Sequence, residues 1–178
     1  GASEILLGNA LGSHRKEVLI VTKCSFGFEG SASGRPKGRD SRKESIPPLV
    51  DQSLQRMRTD YIDVLLVHVP DINTPFEETM CALDNVAQQW KVRAVGVSNF
   101  TLGQLKACEA VLRIDVVQYG LNMFDRRVER EMYPYCLQQD IGVIAYAPVG
   151  YGLLTGAFTM DTKFGQSDIR GTGGYQGF

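Results

Sequence analysis

Ile62-Asp63-Val64-Leu65-Leu66-Val67-His68 decides how the chain is read. The run is apolar at almost every position and lacks the alternation of a strand with one wet face. It suits a strand buried on both sides, as in a parallel sheet covered by helices. Outward from it, similar runs occur at Val18–Thr22, Val92–Val97, Val116–Gln118 and Gly142–Tyr146. Stretches with helix-start signals lie between them. Ser3 caps a helix to Gly12 with Ile5, Leu6, Leu7 and Leu11 on one side. Ser45 precedes Ile46–Met57, where Pro47 and Pro48 fit only a first turn. Thr74-Pro75 with Glu77 and Glu78 opens a third helix, Thr101 opens Leu102–Ala110, and a fifth helix runs from Arg127 to Gln139. Alternation of this kind predicts right-handed βαβ crossovers.

Two parallel architectures compete. A doubly wound dinucleotide fold carries GxGxxG after a strand, and no such motif occurs. A (β/α)8 barrel takes its chemistry from the carboxyl ends of several strands. Polar residues gather at those ends here: Lys23, His68, Ser98, Asn99, Gln118 and Tyr146. The expected fold is therefore an incomplete (β/α)8 TIM barrel, one α/β domain over residues 1–178. It holds about five of the eight strand–helix units and lacks the first strands and the last. The opening at Gly1, inside what reads as ongoing structure, suggests a truncated product. Cys24–Ser45 is a long glycine-rich connection, and the tail after Asp161 has no periodicity.

A net charge of -1, with 22% charged residues, argues against nucleic acid as the main partner. The local basic run Arg35, Lys37, Arg39, Arg42 and Lys43 reads as a solvated loop. No apolar run reaches the ~20 residues that span a bilayer. Cys24, Cys81, Cys108 and Cys136 are widely spaced with no zinc pattern, so buried free thiols in the cytoplasm are expected.

A lysine closing an apolar strand must reach solvent or find a buried partner, and burial would lower its pKa. A histidine such as His68 at a strand end is, by itself, more often a satisfied core residue. Ser98-Asn99 can hydrogen-bond a planar amide. Taken singly these signals are weak; six such residues at five successive strand ends favour a functional rim over isolated core residues.

Thr59-Asp60-Tyr61-Ile62-Asp63-Val64-Leu65-Leu66-Val67-His68 resembles a signature of the aldo-keto reductases. Lys91-Val92-Arg93-Ala94-Val95-Gly96-Val97-Ser98-Asn99-Phe100 is similar to a second. Val21-Thr22-Lys23, Val117-Gln118, Asn122 and Ala145-Tyr146-Ala147-Pro148 follow in the family's order. The resemblance implies reduction of a small aldehyde or ketone by NADP(H), with NAD(H) as the competing cofactor. It makes Lys23 and His68 the catalytic lysine and histidine of an Asp–Tyr–Lys–His tetrad. It makes Ser98, Asn99 and Gln118 ligands of the nicotinamide carboxamide, and Tyr146 the aromatic stacked on the ring. Ala147, Pro148, Gly150, Gly152 and Leu153 would lie along the rest of the cofactor.

The sequence also departs from the pattern. The family's tetrad aspartate and tyrosine would lie upstream of Gly1-Ala2-Ser3-Glu4, so the isolated chain is expected to be inactive and to fold poorly, with open sheet edges. Val69 stands where many relatives carry an aromatic. Gln89-Trp90 replaces a glycine that favours the left-handed helix cap. A noncatalytic regulatory protein on the same scaffold, like reductase-like channel β subunits, is the competing reading.

Overall fold

The computed structural model describes residues 1–26, 38–166, 168 and 170. Five strands form one sheet in the order β1-β2-β3-β4-β5, every neighbouring pair parallel. They are β1 Val21–Cys24, β2 Ile62–Val67, β3 Val92–Ser98, β4 Val116–Gly120 and β5 Gly142–Tyr146. The helices are α1 Ala2–Leu11, α2 Ile46–Met57, α3 Phe76–Gln88, α4 Leu102–Glu109 and α5 Met132–Gln138. Sequential order with helical crossovers brings all carboxyl strand ends to one rim, which is what a site built from several strands requires. No helix among the described residues is long and apolar enough to cross a membrane.

The central strands carry the core. Ile62, Leu65, Leu66, Val67, Val97 and Val117 are fully buried, under a helical layer that includes Ile46, Met80, Leu83 and Leu105. Continuous apolar runs are thus explained at β2, β3 and β4. At β1 and β5, each paired on one side here, burial is thinner, and Val21 is exposed.

Several boundaries move for local reasons. The first strand begins at Val21, not Val18, because the Ile20 N–H donates to the Asp63 carboxylate at 2.9 Å instead of entering the ladder. The strand continues to Cys24, so Lys23 lies within β1, not beyond it. The fourth strand continues to Gly120, so Gln118 is mid-strand.

Ser3 does not cap α1; the N-cap is Gly1. Nor do Ile5, Leu6 and Leu7 form a buried face, since all three are exposed and only Gly8 is buried. Gly8 lets α1 approach α2: a Cβ there would fall 2.5 Å from the Met57 carbonyl oxygen. Thr74 does not cap α3 either. Its hydroxyl donates to Asp71 at 2.8 Å, the helix starts at Phe76, and Glu78 accepts the Lys43 N–H at 3.0 Å. Arg127–Gln139 splits into a 3-10 turn, Arg127–Glu129, and α5. Pro134 in the first turn of α5 would clash with the carbonyl of residue 130 in a continuous helix. At α4 the expected start holds: Thr101 and Gln104 make a reciprocal capping box.

Cys24, Cys108 and Cys136 are buried free thiols, but Cys81 is exposed on α3. Arg39 donates to the Pro70 carbonyl, and exposed Arg42 pairs with Asp40 and Glu44. Arg35 and Lys37 lie outside the described residues, as do most of the glycine-rich connection and the end of the tail.

Trp90 takes the left-handed conformation expected there, with φ 59°, while the residue is 84% exposed. A side chain in that region costs about 1 kcal/mol that glycine escapes, and no burial offsets it. Trp90→Gly should therefore raise stability by about 1 kcal/mol, measured as an increased denaturant midpoint at unchanged slope.

Candidate active site at the carboxyl rim

The rim is organised around Asn99, the first residue beyond β3. Its φ of 63° is left-handed, a conformation asparagine tolerates better than most side chains. This turns the carboxamide back over the strand ends. Its Nδ2 donates to the His68 carbonyl oxygen at 3.2 Å and to the Ser98 hydroxyl at 3.0 Å. Its Oδ1 accepts from the Tyr146 hydroxyl at 2.9 Å, and its backbone N–H donates to the Gln118 carbonyl at 3.2 Å. One residue thus ties the middle of β4 to the ends of β2, β3 and β5. Ser98 and Gln118 are partners in the β3–β4 register and both are buried. The Tyr146 ring lies against Gly120, where an added Cβ would meet it at 3.2 Å. Burial raises the pKa of that phenol, so it remains a hydrogen-bond donor at neutral pH.

Lys23 and His68 share a hollow of about 630 Å³, whose wall also includes Phe26, Glu4 and Arg56. Burial lowers the pKa of Lys23. Burial, followed by the charge of Lys23, lowers that of His68 from its ordinary 6.5, so the imidazole is neutral at pH 7. The His68 N–H donates to the Cys24 carbonyl at 3.2 Å, fixing its backbone to β1 as Asn99 fixes it to β3. Its ring meets the Phe26 ring edge-to-face, centroids 4.9 Å apart. Glu4 and Arg56 are paired at 2.6 Å and so neutralise each other.

The six rim residues do not surround one cavity. A second hollow, about 540 Å³, opens beside Asn99 and Tyr146, between the first turn of α4 and the turn at Arg127. The two are joined through the Asn99 bond to His68. Beyond β5 the chain turns at Ala147, which has φ 53° and accepts the Asn122 amide at 3.2 Å. Pro148 leads into the 3-10 stretch Gly150–Thr155, broken at Tyr151 and Gly152 by positive φ values. Gly150 and Leu153 line a third hollow with Phe158, Phe164 and Arg170.

Three contributors were not apparent in the sequence: Phe26, Gly120 and Asp71. Asp71 accepts from the backbone N–H groups of Ser41 and Asn73 and from the Thr74 hydroxyl, which binds the end of the β1–α2 connection to the turn after His68. Pro70-Asp71, just beyond Val69 in the turn after His68, was the available signal for it. Phe26 left none, because its contact is non-local.

The aldo/keto reductase family model matches residues 1–171. An NADH-specific methylglyoxal reductase from Escherichia coli (strain K12) is 35% identical over 171 residues, covering 90% of this chain and 52% of its own length. The glycerol dehydrogenase of Gluconobacter oxydans superposes with a TM-score of 0.88 at 35% identity, covering 95% of this chain and 52% of that one. An aldo/keto reductase from Klebsiella pneumoniae in complex with NADP and acetate gives a TM-score of 0.72 at 25% identity, covering 89% and 53%. The chain spans about half the length of the curated relatives it matches. With parallel βα units, a rim built from successive strand ends and a family match across nearly all its residues, this chain belongs to the aldo/keto reductase family.

Proposed function

We propose that the protein reduces a small aldehyde or ketone with NADPH, NADH being the competing donor. The observation that carries this reading is the Asn99-centred network, which leaves one acceptor and one donor suited to a planar amide. Both Asn99 amide hydrogens are already used, but Oδ1 keeps one lone pair after accepting from Tyr146. Ser98 Oγ accepts from Asn99, and among the described residues its own O–H has no acceptor. An amide NH2 directed at Asn99 and a carbonyl directed at Ser98 satisfy both, with the Gln118 side chain adjoining. Tyr146 offers a ring face held by Asn99 and Gly120. Ala147, Pro148, Gly150, Gly152 and Leu153 would flank the remainder of the cofactor, both glycines having positive φ. These features fit a nicotinamide dinucleotide.

NADPH, when bound, supplies the hydride. The residues of the chain orient the carbonyl and stabilise charge. Neutral His68 can donate one ring N–H to the carbonyl oxygen. The Lys23 charge, half removed from water, favours the negative charge that gathers on that oxygen during reduction. The tyrosine that the family resemblance assigns as proton donor matches no residue of this chain, and no tyrosine lines the Lys23–His68 hollow among the described residues. We therefore expect these 178 residues alone to be inactive. The free thiols, exposed Cys81 among them, suit a reducing compartment such as the cytoplasm.

The test is twofold. A protein that also supplies the tyrosine and aspartate should consume reduced nicotinamide absorbance with an aldehyde panel, and His68→Ala should abolish most of that turnover. Bound NADPH without turnover on any carbonyl would favour the noncatalytic scaffold reading instead.

A further inference from the structure

His68 has a fixed backbone and an unanchored ring. Its N–H and C=O are held by Cys24 and Asn99, but among the described residues no group hydrogen-bonds either ring nitrogen. A ring that must present one nitrogen to a carbonyl needs its plane set by something else, and that something must leave both nitrogens free. The only aromatic contact recorded for it among the described residues is the edge-to-face packing of Phe26, with an interplanar angle of 85°.

Phe26 is itself firmly placed. It forms an antiparallel bridge with Arg39, and the Asp40 N–H donates to the Ser25 carbonyl at 2.9 Å. The returning side is fastened to the turn that follows His68. Arg39 donates to the Pro70 carbonyl at 3.2 Å, the Ser41 N–H donates to Asp71 at 3.2 Å, and the Thr79 hydroxyl donates to the Ser41 carbonyl at 3.0 Å. Ser25, buried with φ 79°, makes the bend that delivers Phe26 over the imidazole. The edge-to-face arrangement is the one that ring quadrupoles favour.

We propose that Phe26 is a positioning residue for His68, fixing the imidazole plane through ring packing while leaving both nitrogens free for substrate. This rests on the reductase reading for its purpose but not for its geometry. The charged groups around the imidazole are few. Lys23 from β1 faces it, Glu4 of α1 and Arg56 of α2 line the same hollow as a mutual ion pair, and the Arg39 guanidinium is engaged at Pro70.

The chain has two histidines, and His14 is exposed, so proton NMR of the imidazoles in the ligand-free protein isolates His68. His14→Gln makes the assignment. Phe26→Leu retains apolar volume and should shift the His68 ring protons through loss of the aromatic ring current, with line shapes showing a mobile ring. Phe26→Tyr should restore both. Phe26→Ala should also move the His68 titration midpoint up toward 6.5 as its cover is lost. Unchanged His68 shifts and mobility in folded Phe26→Leu would overturn the proposal. Since no cofactor is present in this measurement, its failure is distinct from failure of the reductase reading, which NADPH binding and turnover decide.

Discussion

Asp63→Ala should cost about 3–5 kcal/mol of stability, the usual penalty for removing one partner of a buried ion pair. The Asp63 side chain is 4% exposed and sits at the amino end of β2, away from the rim. Its Oδ2 accepts from Arg15 at 2.8 Å and from the Ile20 N–H at 2.9 Å, and its Oδ1 accepts from Arg93 at 3.0 Å. Both guanidinium carbons lie 3.9 Å from the centroid of the Tyr61 ring. Alanine would leave the half-enclosed Arg15 charge and a buried backbone N–H without their acceptor, and would loosen the entry into β1. Burial pushes the Asp63 carboxyl pKa up, but the Ile20 N–H and the Arg15 and Arg93 charges outweigh it and hold the value below the ordinary range. A carboxyl with a folded pKa below its unfolded one stabilises fully above the unfolded value, about 3.9. That contribution is lost as pH falls through the folded value. Denaturant unfolding as a function of pH should show the acid-side loss in the native chain, with this portion of it missing in the variant. A cost below about 1 kcal/mol would rank the cluster with ordinary surface pairs.

Asn99→Ala should weaken NADPH binding about a hundredfold, roughly 2.8 kcal/mol. The substitution deletes the acceptor for Tyr146 and the donors to His68 and Ser98. A neutral hydrogen bond contributes about 1 kcal/mol net. Alanine at φ 63° adds about 1 kcal/mol of backbone strain. Asn99→Gly relieves the strain but not the lost bonds, so it should regain stability without regaining affinity. That separation distinguishes a binding role from a folding one. Calorimetric titration of both variants with NADPH checks it, and native-like affinity in either would remove Asn99 from the site.

The placement of the candidate site was legible because its residues close or follow strand-length apolar runs, and a parallel sheet sends every carboxyl end to the same rim. His68, Ser98, Asn99 and Tyr146 stand at that rim as their positions implied. Helix starts were unevenly legible. Ser45 stands at the N-cap of α2 as its position implied, although its hydroxyl donates to Asp40, whereas Thr74 carries the right chemistry for a cap but donates to Asp71 and leaves the N-cap to Pro75. The apolar side of α1 misled for a similar reason. Its leucines specify a face, but which face meets α2 was decided by the absence of a side chain at Gly8.

The sequence by itself determined the parallel βα order, the central core and the placement of His68, Ser98, Asn99 and Tyr146 at the carboxyl rim, because periodicity and strand-end position are properties of neighbours along the chain. Tertiary structure alone decided that Asn99 bridges four strands, that Phe26 packs on His68 and that Asp63 gathers two arginines around Tyr61. Each of those joins residues from separate βα units, and only the packing of the units sets the distances between them.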